Sequence, residues 1–327
     1  MSFKKVLVFF LLSVLAVSSC TLEKARPSAR QYVIIASDCL FPKDTSLFGQ
    51  FIKDRNIRVF IHHLSADSIE QTLKHQGVNT HFDMVLLKSV YDIAHFEKLG
   101  FFQRIPKTEI PTEILPQFRI KSNKWIAFGV DPYILVSNQD SLEKIASYSA
   151  FFKRMDWRTD LTTNAQFVPL YASFLNQGIQ QKQVKSWLKQ HLDHTRSLHE
   201  NDSTFTENYL LTNVSTFQTL KRRNKSPFKK SQLIVPENQY PGTMYNLHCL
   251  GIVKQARNYF NALQCMHALV SESMNYRVTK QLNIESIYEP VNPVFKSVYT
   301  QKKETNYQTC LPYFGILNHL VSSFKND

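Results

Sequence analysis

Cysteine and histidine are the side chains best equipped for chemistry here, with five of the first and eleven of the second in 327 residues. The cysteines are Cys20, Cys39, Cys249, Cys265 and Cys310. Their spacing matches neither a zinc ribbon nor a redox Cys-x-x-Cys. Cys39, His248 and Cys249 would offer two thiolates and an imidazole if their loops met, a set suited to zinc or copper. The same two cysteines could equally form a disulfide or stay as two thiols, and the sequence leaves these outcomes open. Cys265 lies on an apolar helical stripe and reads as packed core. His62-His63 reads as a solvated strand end. Gly-x-Ser-x-Gly and His-Glu-x-x-His are absent, and Ser-x-x-Lys occurs as an isolated match at Ser141–Lys144. Eight glycines disfavour phosphate-cradling loops. No catalytic residue, cofactor or resident metal is assigned, and the chain does not read as an enzyme.

The N-terminus says where such residues would work. Lys4 and Lys5 precede an apolar run from Val6 to Val17 broken only by Ser13. That run is shorter than the roughly 20 apolar residues a membrane-spanning helix needs and fits a secretory signal. Val17-Ser18-Ser19-Cys20 resembles the bacterial lipobox, which implies removal of residues 1–19 and lipidation at Cys20. Residues 20–31 then form anchor and tether. An exported chain permits disulfides. Export also argues against nucleic acid as the partner of the formal +13 charge. A basic surface, anionic lipid or anionic ligand fits better.

The elements follow from periodicity. Strands are predicted at Tyr32–Ala36, Ile57–Ile61 and Met84–Leu87, alternating with helices over Leu47–Ile52, Ser68–His75 and Ile93–Leu99. That alternation implies a parallel sheet covered on both faces. Trp125–Ser137 is extended. Lys144–Phe152 reads as helix, Leu161–Thr163 as strand, and Pro169–Gln177 and Gln183–Leu192 as helices. Thr219–Ser231 reads as a basic loop. Leu233–Val235 and Leu250–Val253 are predicted strands, and Asn258–Val270 a helix. The expected class is α/β with two lobes. Residues 32–124 and 255–327 make lobe 1 and residues 139–239 lobe 2. Residues 125–138 and 240–254 are the hinge crossings. Open α/β sheets bind ligands at strand carboxyl ends, so a solute belongs between the lobes.

Several stretches, in order, resemble the extracellular solute-binding proteins of the ferric-ion-binding type, which also include thiamine, polyamine and phosphonate binders. Gln76-Gly77-Val78-Asn79-Thr80-His81-Phe82-Asp83-Met84-Val85 is similar to the family's EGANSPADV. Glu97-Lys98-Leu99-Gly100-Phe101-Phe102 is similar to EAGLLQPV, Trp125–Asn138 to the hinge strand ending in VYN, and Asp156-Trp157-Arg158 to DPKWKG. Tyr288-Glu289-Pro290-Val291-Asn292-Pro293 resembles YEYPVNP. The likeness spans about residues 32–293. It implies a type II periplasmic-binding-protein fold, and a monomer that delivers a small solute to the permease subunits of an ABC-type importer. With the lipid anchor, it implies a place in the cell envelope, periplasmic or on the outer face of the membrane.

The same resemblance locates a site. The family's iron-binding histidine falls at Cys39, its glutamate at Lys88, and its tyrosine pair at Ser215 and Thr216 after Asn213. None of these iron ligands is retained, and Fe³⁺ requires anionic oxygen donors. Lys88 brings a cation and three donors instead. Ser37, Ser89, Asn213, Ser215 and Thr216 add neutral polar groups. The segment Thr163-Asn164-Ala165-Gln166 starts a helix, where free N–H groups favour negative charge. Asn246 lies near a hinge crossing. Ser37, Cys39, Lys88, Ser89, Asn164, Gln166, Asn213, Ser215, Thr216 and Asn246 are therefore the expected ligand-binding residues, for an anionic or polar organic solute. The alternatives are a metal (iron or zinc) binder of the same transport class and a receptor or sensor ectodomain that has lost transport.

Overall fold

The computed structural model describes residues 31–39, 41, 46–137, 145, 147–154, 157–195, 209–222, 232–234, 244–290, 292–295 and 307–326. The leader, Cys20, the tether, Ser141, Lys144 and the basic segment 223–231 lie outside the described residues.

The first half alternates strand and helix as expected: β1 (Tyr32–Ser37), α1 (Ser46–Arg55), β2 (Arg58–His63), α2 (Ala66–Gln76), β3 (Met84–Leu87) and α3 (Val90–Lys98). Each helix buries one stripe: Leu47, Phe48 and Phe51 from α1, Ile69 and Leu73 from α2, Val90, Ile93 and Phe96 from α3. Ser65 accepts from Ser68 N–H to start α2, and Gly77, with φ 49°, ends it. β1 is parallel to both β2 and β3. Val33 and Ile35 are fully buried and Ile34, on the opposite face, is partly covered.

The two lobes meet along two long strands. β4 (Trp125–Ser137) is buried throughout, and β8 (Tyr245–Ile252) lies antiparallel to its first part, from Trp125 opposite Gly251 to Pro132 opposite Tyr245. From Tyr133 onward β4 pairs instead with β6 (Tyr209–Asn213) and, at its end, with β7 (Gln232–Ile234). β5 (Trp157–Thr159) runs parallel to β6. The strand path is β2-β1-β3-β8-β4-β6-β5, with β7 off it on β4. One strand thus begins in the first lobe's sheet and finishes in the second's. The remaining helices are α4 (Tyr148–Phe151), α5 (Asn164–Asn176), α6 (Gln181–Asp193), α7 (Val214–Arg222), α8 (Tyr259–Val270), α9 (Glu272–Leu282) and α10 (Tyr307–Asn326).

Four differences from expectation have physical causes. The strand expected at Leu161–Thr163 lies at Trp157–Thr159, because Thr163 is committed to capping α5. β6 and α7 occupy a stretch without an expected element, and the expected loop from Thr219 begins as the last turn of α7. α9 follows α8 after the single residue Ser271. The last helix, inside the segment expected in the first lobe, makes contacts with both halves. α10 buries Cys310, Phe314, Leu317 and Val321 on one face and packs mainly on α5 of the second lobe, while also touching α3 of the first.

Gly251 sits where β8 passes under Phe102, and a β-carbon there would meet the buried Phe102 ring at 2.6 Å. Gly251→Ala should cost about 1–3 kcal/mol, the usual penalty for overpacking; an unchanged urea midpoint would refute this. Asp160, after β5, has one carboxylate oxygen accepting from Thr212 Oγ1 at 2.9 Å, while the other is buried without a partner. Burial, with Asp131 adding to it, raises its pKa to about 7. The folded state then binds the proton more tightly than the unfolded chain, so stability present at pH 4 is lost as pH rises toward 7. Asp160→Asn, which mimics the neutral acid, should melt above the wild type at pH 8 and show no such gain at pH 4; equal differences at both pH values would count against this.

Candidate functional site

The carboxyl ends of β1 and β3, the N-terminal turns of α5 and α7, and the middle of β8 converge on one cavity of about 340 Å³. This is the lower end of the range for small-molecule sites. Its lining includes Asp38, Cys39, Lys88, Ser89, Asp131, Gln166, Asn213, Ser215, Thr216, Asn246 and His248. Both lobes contribute, and Ser89 Oγ donates to Ala165 O across them at 2.7 Å.

Each wall has a local cause. After β1, the Ser37 hydroxyl accepts Cys39 N–H at 3.1 Å and turns Cys39 inward. Asp38 Oδ1 accepts Lys88 N–H at 2.8 Å, and Asn246 Nδ2 donates to Lys88 O at 3.3 Å. Asn246 Oδ1 accepts Val90 N–H. The Lys88 peptide is therefore gripped on both sides while its side chain stays exposed. In the second lobe, Asn213 Oδ1 caps α7 by accepting Thr216 N–H at 3.1 Å. Asp131 accepts Ser215 N–H at 3.0 Å and Ser215 Oγ–H at 2.7 Å. A resident carboxylate thus fills the start of α7, where a helix end favours negative charge. Thr163 and Gln166 form a capping box at α5, with Gln166 Oε1 accepting Thr162 and Thr163 N–H.

His248, 5% exposed, stands between Cys39 and Asp131. Its Nδ1 is 3.7 Å from Cys39 Sγ and its Nε2 3.7 Å from Asp131 Oδ2. Burial pushes the Asp38 carboxyl above its ordinary value even with Lys88 close by. Burial, reinforced by the Asp38 charge, holds the Cys39 thiol well above its own. All four cysteines after Cys20 are free and buried.

Of the ten expected residues, Cys39, Lys88, Ser89, Gln166, Asn213, Ser215, Thr216 and Asn246 line this cavity. Ser37 and Asn164 do not: Ser37 is fully buried and shapes the Cys39 turn, and Asn164 Nδ2 donates to Asn318 Oδ1 on α10 at 3.1 Å. Sequence reasoning missed Asp38 and Asp131 and gave His248 only a metal-binding alternative. Asp131 carried a readable signal, a charge inside an otherwise apolar buried strand.

The four positions matched to iron ligands, Cys39, Lys88, Ser215 and Thr216, thus face one space. No family model matches the chain. Iron uptake protein A1 of Synechocystis is 21% identical over 264 residues, covering 75% of this chain and 73% of that protein. Among solved structures, Trichodesmium FutA (IdiA) in complex with iron and citrate superposes with a TM-score of 0.76 at 18% identity, covering 90% of this chain and 99% of that one. The ferric binding protein from Campylobacter jejuni gives 0.76 at 16% identity, covering 89% and 99%. The fold is the two-lobed type II architecture of periplasmic binding proteins. These relatives are named for uptake and binding, not for catalysis.

Asp131→Ala would leave both Ser215 donors without their acceptor at the start of α7. A stability loss of about 1–3 kcal/mol is expected, with a smaller loss for Asp131→Asn, which keeps one acceptor. A urea midpoint for Asp131→Ala equal to wild type would show the carboxylate to be idle.

Proposed function

We propose that the chain is the solute-capturing component of an ABC-type importer, and that its cavity takes a small anionic or polyhydroxylated organic solute such as a phosphonate, phosphate ester or small carboxylate. One observation carries this reading: the cavity has more uncommitted donors than acceptors. Among the described residues, Lys88 Nζ, Gln166 Nε2 and Asn213 Nδ2 make no hydrogen bond although they line it. Several acceptors are spent, with both Asp131 oxygens on Ser215 and Asn246 Oδ1 on Val90 and Leu247, while Asp38 Oδ2 and Gln281 Oε1 accept no hydrogen bond among the described residues. A guest rich in oxygen acceptors answers that surplus. Among the described residues no tyrosine lines the cavity, so no phenolate donor of a bare ferric site stands there, which favours an organic solute over Fe³⁺ alone.

In this reading residues 32–124 form one lobe and residues 139–239 the other. Residues 125–138 and 240–254 are the hinge, and the C-terminal segment divides its contacts. A solute that touches both lobes stabilises the closed arrangement, which the permease subunits would recognise. The N-terminal signal supports a chain held at the cell envelope by lipid on Cys20.

A thermal-shift screen with phosphonates, sugar phosphates, small carboxylates, thiamine, polyamines and Fe³⁺ tests the solute class. An acid at about 100-fold its Kd adds about 2.7 kcal/mol of stability. Lys88→Glu should abolish that response and leave the unliganded melting temperature unchanged. A shift with Fe³⁺ alone, or an acid response that survives Lys88→Glu, would defeat the reading.

A further inference from the structure

Helix α5 carries a proline in its interior, and the consequence falls at the wall of the cavity. Pro169 has no N–H, so the carbonyl four residues earlier, Ala165 O, lacks the donor that an α-helix would give it. The proline ring also crowds that carbonyl from the following turn. The missing donor comes from the other lobe: Ser89 Oγ donates to Ala165 O at 2.7 Å. Ser89 and Ala165 both line the cavity, whereas Pro169 is buried in the helix and does not.

Donor and acceptor are each held by their own lobe. The Ser89 hydroxyl accepts Tyr91 N–H at 3.1 Å as the cap of α3, which fixes its orientation, and the residue is 1% exposed. On the opposite side the capping box of Thr163 and Gln166 sets the first turn of α5. Tyr133 Oη, from β4, donates to Gln166 O at 2.6 Å and anchors the same turn from beneath. Groups ordered in advance lose little entropy when they meet.

We propose that Pro169 is a positioning residue for lobe closure: by withdrawing the helical donor from Ala165 O it reserves that carbonyl for Ser89, and the resulting hydrogen bond latches the lobes together. Every group in the latch belongs to the chain itself, so closure does not wait for a guest. When the lobes part, water takes the place of each partner, and the latch shifts the balance by the net worth of one hydrogen bond. A solute that touches both lobes then finds the closed form already populated, which tightens its apparent affinity.

Cys39 reports the open fraction, because it lines the cavity and is 2% exposed. Cys265, fully buried and away from the cavity, reports global unfolding. The purified protein, without added solute, is treated with iodoacetamide, and alkylation of each cysteine is followed by peptide mass spectrometry. Pro169→Ala returns an N–H to Ala165 O and should speed alkylation of Cys39 about fivefold, the loss of one hydrogen bond. Cys265 should react at the wild-type rate. In a Ser89→Ala background, Pro169→Ala should add nothing, since both changes remove the same bond. An unchanged Cys39 rate in Pro169→Ala, equal acceleration of Cys39 and Cys265, or a further gain in the double variant overturns the latch. No arm uses a solute, so the outcome is independent of which guest the cavity takes.

Discussion

A buried carboxylate on the strand shared by the two lobes is the constraint around which the site is arranged. Asp131 lies on β4 opposite Asn246 of β8, two residues before β4 leaves one sheet for the other. A charge buried at that place is tolerable only with partners. Ser215 supplies two hydrogen bonds from the second lobe, and His248 lies beside it from β8. Satisfying one side chain therefore fixes the start of α7, the ring of His248 and, through that ring, the surroundings of Cys39. Had this position been valine, as the rest of the strand would suggest, both Ser215 donors would lose their acceptor and the His248 ring its charged neighbour.

Much of the first lobe was legible because its signals are local. The β-branched run of β1 and the four-residue spacing of Ile69 and Leu73 in α2 each answer to one period, and both stand where the sequence put them. β6 was harder, since Tyr209–Asn213 is short and its burial comes from β4, β5 and α7, which lie elsewhere in the fold or were not expected. α10 contains Pro312 and Gly315, which disguise its stripe, and the stripe becomes evident only against α5. The Leu161–Thr163 stretch shows a competing rule: its β-branched residues suit a strand, but the Thr163 side chain is worth more as a helix cap.

The site was legible to the extent that aligned motifs locate backbone. Eight of ten expected positions reach the cavity because the loops after β1 and β3 and the helix starts after β5 and β6 are set by topology. What motif order could not supply was commitment. Ser37 and Asn164 have suitable chemistry, yet each is engaged elsewhere, one within its own turn and the other with Asn318. Asp38 was overlooked because its value lies in accepting a backbone N–H fifty residues away, a link invisible without the fold.

The placement of α10 bears on how the lobes can move. Asn318 accepts from Asn164 on α5 and donates to the Tyr91 hydroxyl on α3, so one side chain ties a helix of each half. Phe314 rests against the Tyr91 ring nearby. Any separation of the two halves must either leave this corner as its pivot or break the Tyr91 link. α10 thus couples the halves through side chains that do not line the cavity.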